Sequence, residues 1–103
     1  MAKSKLSDFD AAEYLDDPEM RLVFVRSALA TGDAAYIMKA LGEVARTVGM
    51  AKIADETGRG RTSLYKALRP EGNPEFATVM EVMRSVGLQL TAEPVVKAKA
   101  TSA

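Results

Sequence analysis

Basic side chains are concentrated between Thr57 and Pro74, in the stretch TGRGRTSLYKALRPEGNP, although the chain has no net charge. Guanidinium and ammonium groups bind phosphate oxygens, arginine pairs with guanine edges, and hydroxyl groups add further hydrogen bonds. Four cations and one tyrosine lie within eleven residues: Arg59, Arg61, Tyr65, Lys66 and Arg69. These residue types indicate a surface that could hold a polyanion such as DNA.

Charge is segregated along the chain. Residues 8–19 contain six acids and no base, whereas residues 46–69 contain six bases and two acids. Such asymmetry favours an electropositive face for a polyanion and an acidic arm for a different partner. The alternative is ordinary solvated helix surface, and charge alone leaves both interpretations open.

The amino-acid composition argues against catalysis and metal binding. The chain has no cysteine and no histidine, which removes thiolate ligands and the commonest general base near neutral pH. We therefore expect no enzymatic activity, no cofactor and no metal site. No run of 18 apolar residues occurs, so we expect no membrane segment and a cytoplasmic location. The length of 103 residues predicts one domain.

Local signals predict a series of short helices. Asp17 followed by Pro18 marks a helix start, because aspartate caps helix N-termini and proline is accepted in the first turn. That helix should end near Thr31, and Asp33 should cap the next one, which runs to Val48 or Gly49. Apolar spacing predicts further helical segments at 10–19, 50–56, 62–68 and 76–86. In the last of these, the residues available for burial are Phe76, Val79, Met80, Val82 and Met83.

The segment LQLTAEPV alternates apolar and polar residues, which predicts a short strand over Leu88–Glu93. A lone strand has no partner in its own chain. It could pair with a symmetry mate or with another protein, or it could be coil.

The segments 50–56 and 62–68 have the spacing of a helix-turn-helix. Gly58 can adopt the positive φ that a sharp turn requires, and Leu64, Ala67 and Leu68 share one side of the second helix. If that side packs inward, the 3.6-residue period fixes the outward side. The outward residues are Arg61, Thr62, Tyr65, Lys66 and Arg69, with Gly60 at the helix entrance. The alternative is a plain helical hairpin whose exposed face happens to be basic.

The segment GMAKIADETGRGRTSLYKALRPEGNPEFATVMEVMRSVGLQL resembles the helix-turn-helix antitoxins of the addiction module antidote family. The most specific part is SLYKAL followed by PEGNPEF and VGLQL, and the resemblance covers about Phe9 to Leu90. It implies an all-α, lambda-repressor-like domain of five helices with a short C-terminal strand. The implied organisation is a flexible tail over 1–8, the helix-turn-helix domain over 9–92 and a flexible tail over 93–103.

The resemblance implies a type II antitoxin that neutralises a toxin similar to the HigB, RelE and ParE group and represses their shared operon. The implied partners are the toxin and operator DNA, and a homodimer is expected because half-sites one turn apart require two-fold symmetry. The recognition-helix role falls on Arg61, Ser63, Tyr65 and Lys66, while Lys52 stands where the family usually has a glutamine that braces this helix and touches phosphate. Periodicity and resemblance together assign DNA binding to Lys52, Gly60, Arg61, Thr62, Ser63, Tyr65, Lys66 and Arg69.

Two residues depart from the family pattern. Arg59 replaces a hydrophobic residue of the turn, so we expect its stem along the surface and its head in solvent or on phosphate. Gly60 replaces a capping serine.

Two other functions remain open. A stand-alone, phage-like repressor would have the same sequence features but no toxin gene beside its own. A helical module that binds only proteins would present the basic face to an acidic partner and would not bind DNA.

Overall fold

The computed structural model of the chain describes residues 13–95, and α-helix is the only regular secondary structure in that range. Residues 13–15 are helical, and five helices with defined ends follow. They are α1 (Pro18–Ala30), α2 (Ala34–Val48), α3 (Met50–Thr57), α4 (Arg61–Ala67) and α5 (Phe76–Ser85). The predicted all-α class is thus confirmed for the described residues.

The predicted helix starts are capped by the side chains that the sequence indicated. The Asp17 carboxylate accepts a hydrogen bond of 2.9 Å from the backbone N–H of Glu19, and Pro18 is the first residue of α1. Asp33 accepts one of 3.2 Å from the backbone N–H of Tyr36 at the start of α2. Each cap satisfies a backbone donor that the helix itself leaves unpaired.

Helix α2 is central to the core. It packs on α1 and on α3, and α3 in turn packs on α4 and on α5. All five helices contribute buried apolar side chains, among them Val25, Leu41, Val44, Ile53, Leu64, Val82 and Met83. The core therefore fixes the orientation of every helix, including the short α4.

Helix α5 is only partly oriented as predicted. Val82 and Met83 are buried and Val79 packs against the core cluster. Phe76 is 68% exposed and Met80 44% exposed, so the prediction that they were available for burial was wrong. Met80 is rotated away from the side that Val82 and Met83 turn toward the core, whereas Phe76 lies two turns before Met83, at the first residue of the helix.

Arg21 connects the two ends of the described chain. Its guanidinium donates hydrogen bonds to the backbone carbonyls of Leu15 (3.1 Å), Asp16 (3.3 Å) and Val86 (3.2 Å). Leu15 and Val86 are both almost fully buried. The side chain thus holds the segment before α1 against the residue that follows α5.

We expect Arg21→Ala to lower the free energy of unfolding by about 1–3 kcal/mol, because three backbone carbonyls lose a charged donor. Urea denaturation followed by circular dichroism measures the change. Arg26→Ala is the matched control, since Arg26 is an exposed arginine of the same helix, and its effect should stay within about 0.5 kcal/mol. Equal effects of the two substitutions would contradict the assigned role of Arg21.

The C-terminal end of α4 packs against α2 with no room for a side chain. Gly42 is buried in α2, and a Cβ atom placed on it would collide with the carbonyl oxygen of Leu68, the residue after α4. Because the obstacle is backbone, it cannot move aside as a flexible side chain would. The absence of a side chain at position 42 is what lets the two helices approach so closely.

The strand predicted over Leu88–Glu93 is not formed, and residues 88–95 have no regular secondary structure. The described chain offers this segment no extended partner, and a strand needs one for its backbone hydrogen bonds. The alternation instead reflects burial: Leu88 and Leu90 pack against the core cluster, while Gln89 and Thr91 are exposed.

The predicted tails fall largely outside the described part of the chain. The segment 1–8 lies outside it, and so do residues 96–103 of the predicted C-terminal tail, whereas residues 93–95 are described and exposed. Within residues 13–95, no helix has the length and apolarity needed to cross a bilayer.

Candidate nucleic-acid interface

Three residues, 58–60, join α3 to α4 in a tight turn. Gly58 has φ 74° and ψ 18°, the left-handed conformation predicted for it. The backbone N–H groups of Gly58 and Arg59 both donate to the carbonyl of Ala54, at 2.9 and 3.2 Å. These bonds end α3 and direct the chain into the start of α4.

Buried leucines fix the rotation of α4 about its axis. Leu64 and Leu68 are each 1% exposed, and Ala67 is partly buried against the core cluster. This is the inward side that the apolar spacing predicted. All eight residues assigned to DNA binding are exposed: Lys52, Gly60, Arg61, Thr62, Ser63, Tyr65, Lys66 and Arg69.

Carboxylates neutralise three of the cations around α4. Lys52 Nζ lies 2.8 Å from Glu56 Oε2, Arg59 Nε lies 2.9 Å from Glu81 Oε1, and Arg69 Nε lies 3.2 Å from Glu71 Oε2. Within residues 13–95, neither Arg61 nor Lys66 has an acidic partner.

Lys52 does not brace α4 as the family pattern implied. Its ammonium group pairs with Glu56 of its own helix, and Glu56 also accepts a hydrogen bond of 2.6 Å from the Ser85 hydroxyl of α5. The hydrogen bonds from Lys52 and from Ser85, in that order, lower the pKa of the Glu56 carboxyl below its usual range. Glu56 therefore connects α3 to α5, a role that the sequence analysis missed.

Arg59 is also held by α5. It is partly buried, and its head pairs with Glu81 rather than standing free in solvent. The two residues are 22 positions apart, and no motif or helical spacing relates them. Only their packing in the folded chain could have identified Glu81.

A shallow groove of about 290 Å³ runs beside the turn. The turn residues 58–60 form one wall, Ser63 and Leu64 of α4 the next, and Pro74 and Thr78 close it from the side of α5. Ser63 therefore borders this groove, next to the turn that leads into α4. The groove brings the PEGNP turn close to the basic segment.

Comparison with known proteins identifies the chain's relatives. No solved structure matches it significantly. A protein of Haemophilus influenzae (strain ATCC 51907 / DSM 11121 / KW20 / Rd), described as "Uncharacterized protein", is 44% identical over 85 residues, which are 82% of this chain and 88% of that protein. The family model described as "Probable addiction module antidote protein" matches residues 5–94. Since that match takes in most of the sequence, the chain belongs to the addiction module antidote family.

Proposed function

We propose that the protein is a cytoplasmic, non-enzymatic type II antitoxin with two binding activities. It binds and neutralises a toxin similar to the RelE, HigB and ParE group, and as a homodimer it represses its own operon by binding operator DNA. Family membership supports the antitoxin role. The exposed face of α4 supports the DNA-binding role.

The observation that carries the DNA-binding proposal is the combination of a fixed helix and uncompensated cations. Leu64 and Leu68 anchor α4 by its inner side. Arg61, the first residue of α4, and Lys66, on its outer side, are exposed without an acidic partner in the described chain. In a helix-turn-helix, the second helix lies in the major groove and its outer side reads base edges and phosphates. We assign α3 and α4 to that motif and α4 to the recognition role.

The neighbouring cations have a smaller part in this proposal. Lys52 and Arg69 form exposed ion pairs that solvent screens, so phosphate can replace the carboxylate at small cost. The carboxylate nevertheless remains close to the DNA and repels it. We therefore expect Arg61 and Lys66 to contribute more to binding than Lys52 and Arg69.

Helix α1 supplies a surface that suits the toxin. Its apolar residues are spread around the helix between Glu19, Arg21 and Arg26, and only Val25 and Ala28 are buried. Leu22, Val23 and Leu29 stay exposed, and exposed apolar side chains that lie close together suit a protein partner. We propose that the toxin binds this outer side of α1 and covers it.

Charge favours the toxin as that partner. Exposed carboxylates surround the start of α1, at Glu13, Asp16, Asp17 and Glu19. A toxin that acts on RNA or on a DNA-bound target carries cations to hold it, and these cations complement the acidic cluster. A second copy of this chain would instead bring like charges together.

The toxin-binding proposal is tested by co-expression with the protein encoded beside this chain's gene. That protein alone should arrest growth, and the wild-type antitoxin should restore it. We expect Val23→Asp to weaken the complex by about 10- to 100-fold, because it places a charge in an apolar contact, and growth should then stay arrested.

Val95→Asp is the control for this substitution, because Val95 is an exposed valine far along the chain from α1. It should restore growth as the wild type does. Both variants should still bind the DNA upstream of the gene, which shows that they are folded. If no toxin-like protein is encoded there but the DNA is bound, the stand-alone repressor is the better description.

A further inference from the structure

Helix α5 exposes an apolar strip that the fold does not use. Phe76 is 68% exposed and Met80 44% exposed, and Ala77 beside them is exposed as well. Phe76 and Met80 are four residues apart and so lie on the same side of the helix. A phenylalanine this exposed on a well-formed helix indicates a surface that a partner covers.

The other sides of α5 are occupied within the chain. Val82 and Met83 face the core. Glu81 holds Arg59 of the turn, and Ser85 donates to Glu56 of α3. The apolar strip therefore points away from the contacts that position the α3–α4 pair, and a partner on the strip leaves α4 accessible.

Arg84 extends the strip by one more turn. It is exposed, four residues beyond Met80, and within residues 13–95 it has no acidic partner. The strip thus has an aromatic ring at one end, a thioether in the middle and a guanidinium at the other end. An arginine over an aromatic ring is attracted by the ring's electrons, and a thioether also packs well against aromatic rings.

We propose that this strip binds the same strip of a second copy, with two antiparallel α5 helices crossing at Met80. Two-fold symmetry about Met80 places each Phe76 against the partner's Arg84. The inference rests on the proposed function, since it names the surface that makes the repressor two-fold. The unlike ends of the strip match only in the antiparallel arrangement, which a two-fold axis perpendicular to the helices generates.

The size of the strip predicts a weak dimer. Ten residues of helix are about 15 Å long, so the contact is smaller than a standard interface. We expect a dissociation constant of about 10–100 μM in the absence of DNA, typical of small transient contacts.

Cysteine cross-linking tests the position of the axis, because the chain has no cysteine of its own. In Met80→Cys the two thiols face each other across the axis, so mild oxidation at about 100 μM protein should give a covalent dimer. Val23→Cys on α1 is the matched control, because Val23 (46%) is exposed to nearly the same extent as Met80 (44%). It should remain monomeric, and equal or greater cross-linking at position 23 overturns the proposal.

Sedimentation equilibrium provides a second measurement that does not depend on thiol geometry. Phe76→Asp and Arg84→Ala should each raise the dissociation constant, by at least about 10-fold for Phe76→Asp. Combined as alanine substitutions, Phe76→Ala and Arg84→Ala should show non-additive effects because each residue contacts the other across the interface. A wild-type protein that stays monomeric at the highest concentration, or a dimer unaffected by Phe76→Asp, overturns the proposal.

The test of the α5 surface can fail without the proposed function failing, because binding of the DNA upstream of the gene is measured in a separate assay. Binding of that DNA by a dimer insensitive to Phe76→Asp would refute the α5 surface and leave the repressor role intact. Cross-linking at position 80 without DNA binding would support the surface and refute the repressor role.

Discussion

The double variant Arg61→Ala/Lys66→Ala is expected to bind the DNA upstream of its gene about 100-fold more weakly than the wild type, or worse. These are the two cations of α4 that no carboxylate in the described chain compensates. An arginine on a base edge contributes about 1–3 kcal/mol of discrimination, and each phosphate contact adds a salt-dependent term. The proposed homodimer would lose both contributions twice.

Electrophoretic mobility shift or fluorescence anisotropy at several salt concentrations measures both effects. The dependence of log K on log salt should become shallower by about 0.9 for each phosphate contact that is lost. Arg26→Ala/Lys39→Ala is the control, since it removes two exposed cations from α1 and α2, of which Lys39 pairs with Glu43. The control should bind within about 3-fold of the wild type, because these residues are not on α4 and surface charges are largely screened.

Two results would contradict the assignment of α4. If both double variants weaken binding equally, net charge rather than the outer side of α4 governs the interaction. If the wild type binds neither this DNA nor unrelated DNA at low salt, the protein-binding module becomes the better description of the basic face.

Gly42→Ala is expected to destabilise the protein by about 2–3 kcal/mol, in the range of other overpacking substitutions. Helix propensity alone predicts the opposite sign, since alanine is favoured over glycine in a helix interior by about 1 kcal/mol. The collision of the new methyl group with the Leu68 carbonyl oxygen decides the sign here. To relieve it, α2 and the end of α4 must separate.

Chemical denaturation measures the change in the free energy of unfolding. Gly60→Ala is the control, because a Cβ atom at position 60 has no neighbour within 4 Å and the residue has a φ of −72°. The control should cost about 1 kcal/mol at most, as expected for an N-cap change. A Gly42→Ala variant as stable as the wild type would show that α4 does not depend on this close approach.

Local signals in the sequence predicted the helices and the inward side of α4. Asp17 and Asp33 mark helix starts through bonds to residues two and three positions away, and Leu64 and Leu68 are one helical turn apart. Such features depend on the backbone of one element, so the sequence near them is enough. The exposure of Thr62, Tyr65, Lys66 and Arg69 followed from the same periodicity. Lys52 and Ser63 were assigned only from the family resemblance.

Features that depend on distant parts of the chain were not predictable in this way. Arg21 reaches Val86 across 65 residues, and Arg59 reaches Glu81 across 22. The exposure of Phe76 depends on which part of α5 meets the core. The spacing of apolar residues in the sequence is the same whether such a residue packs against its own chain or against another protein. Leu88–Glu93 alternates like a strand, but alternation cannot supply the second extended segment that a strand needs.

The three carboxylates that pair with Lys52, Arg59 and Arg69 have a kinetic consequence under the proposed function. A genome offers about 10⁶–10⁹ competing sites, and a repressor with many free cations spends most of its time on them. Here each protomer brings only two uncompensated charges on α4 to random DNA, so each encounter is brief. The protein therefore dissociates rapidly from random DNA sites. It stays bound for a long time only at a sequence that both copies of α4 recognise together.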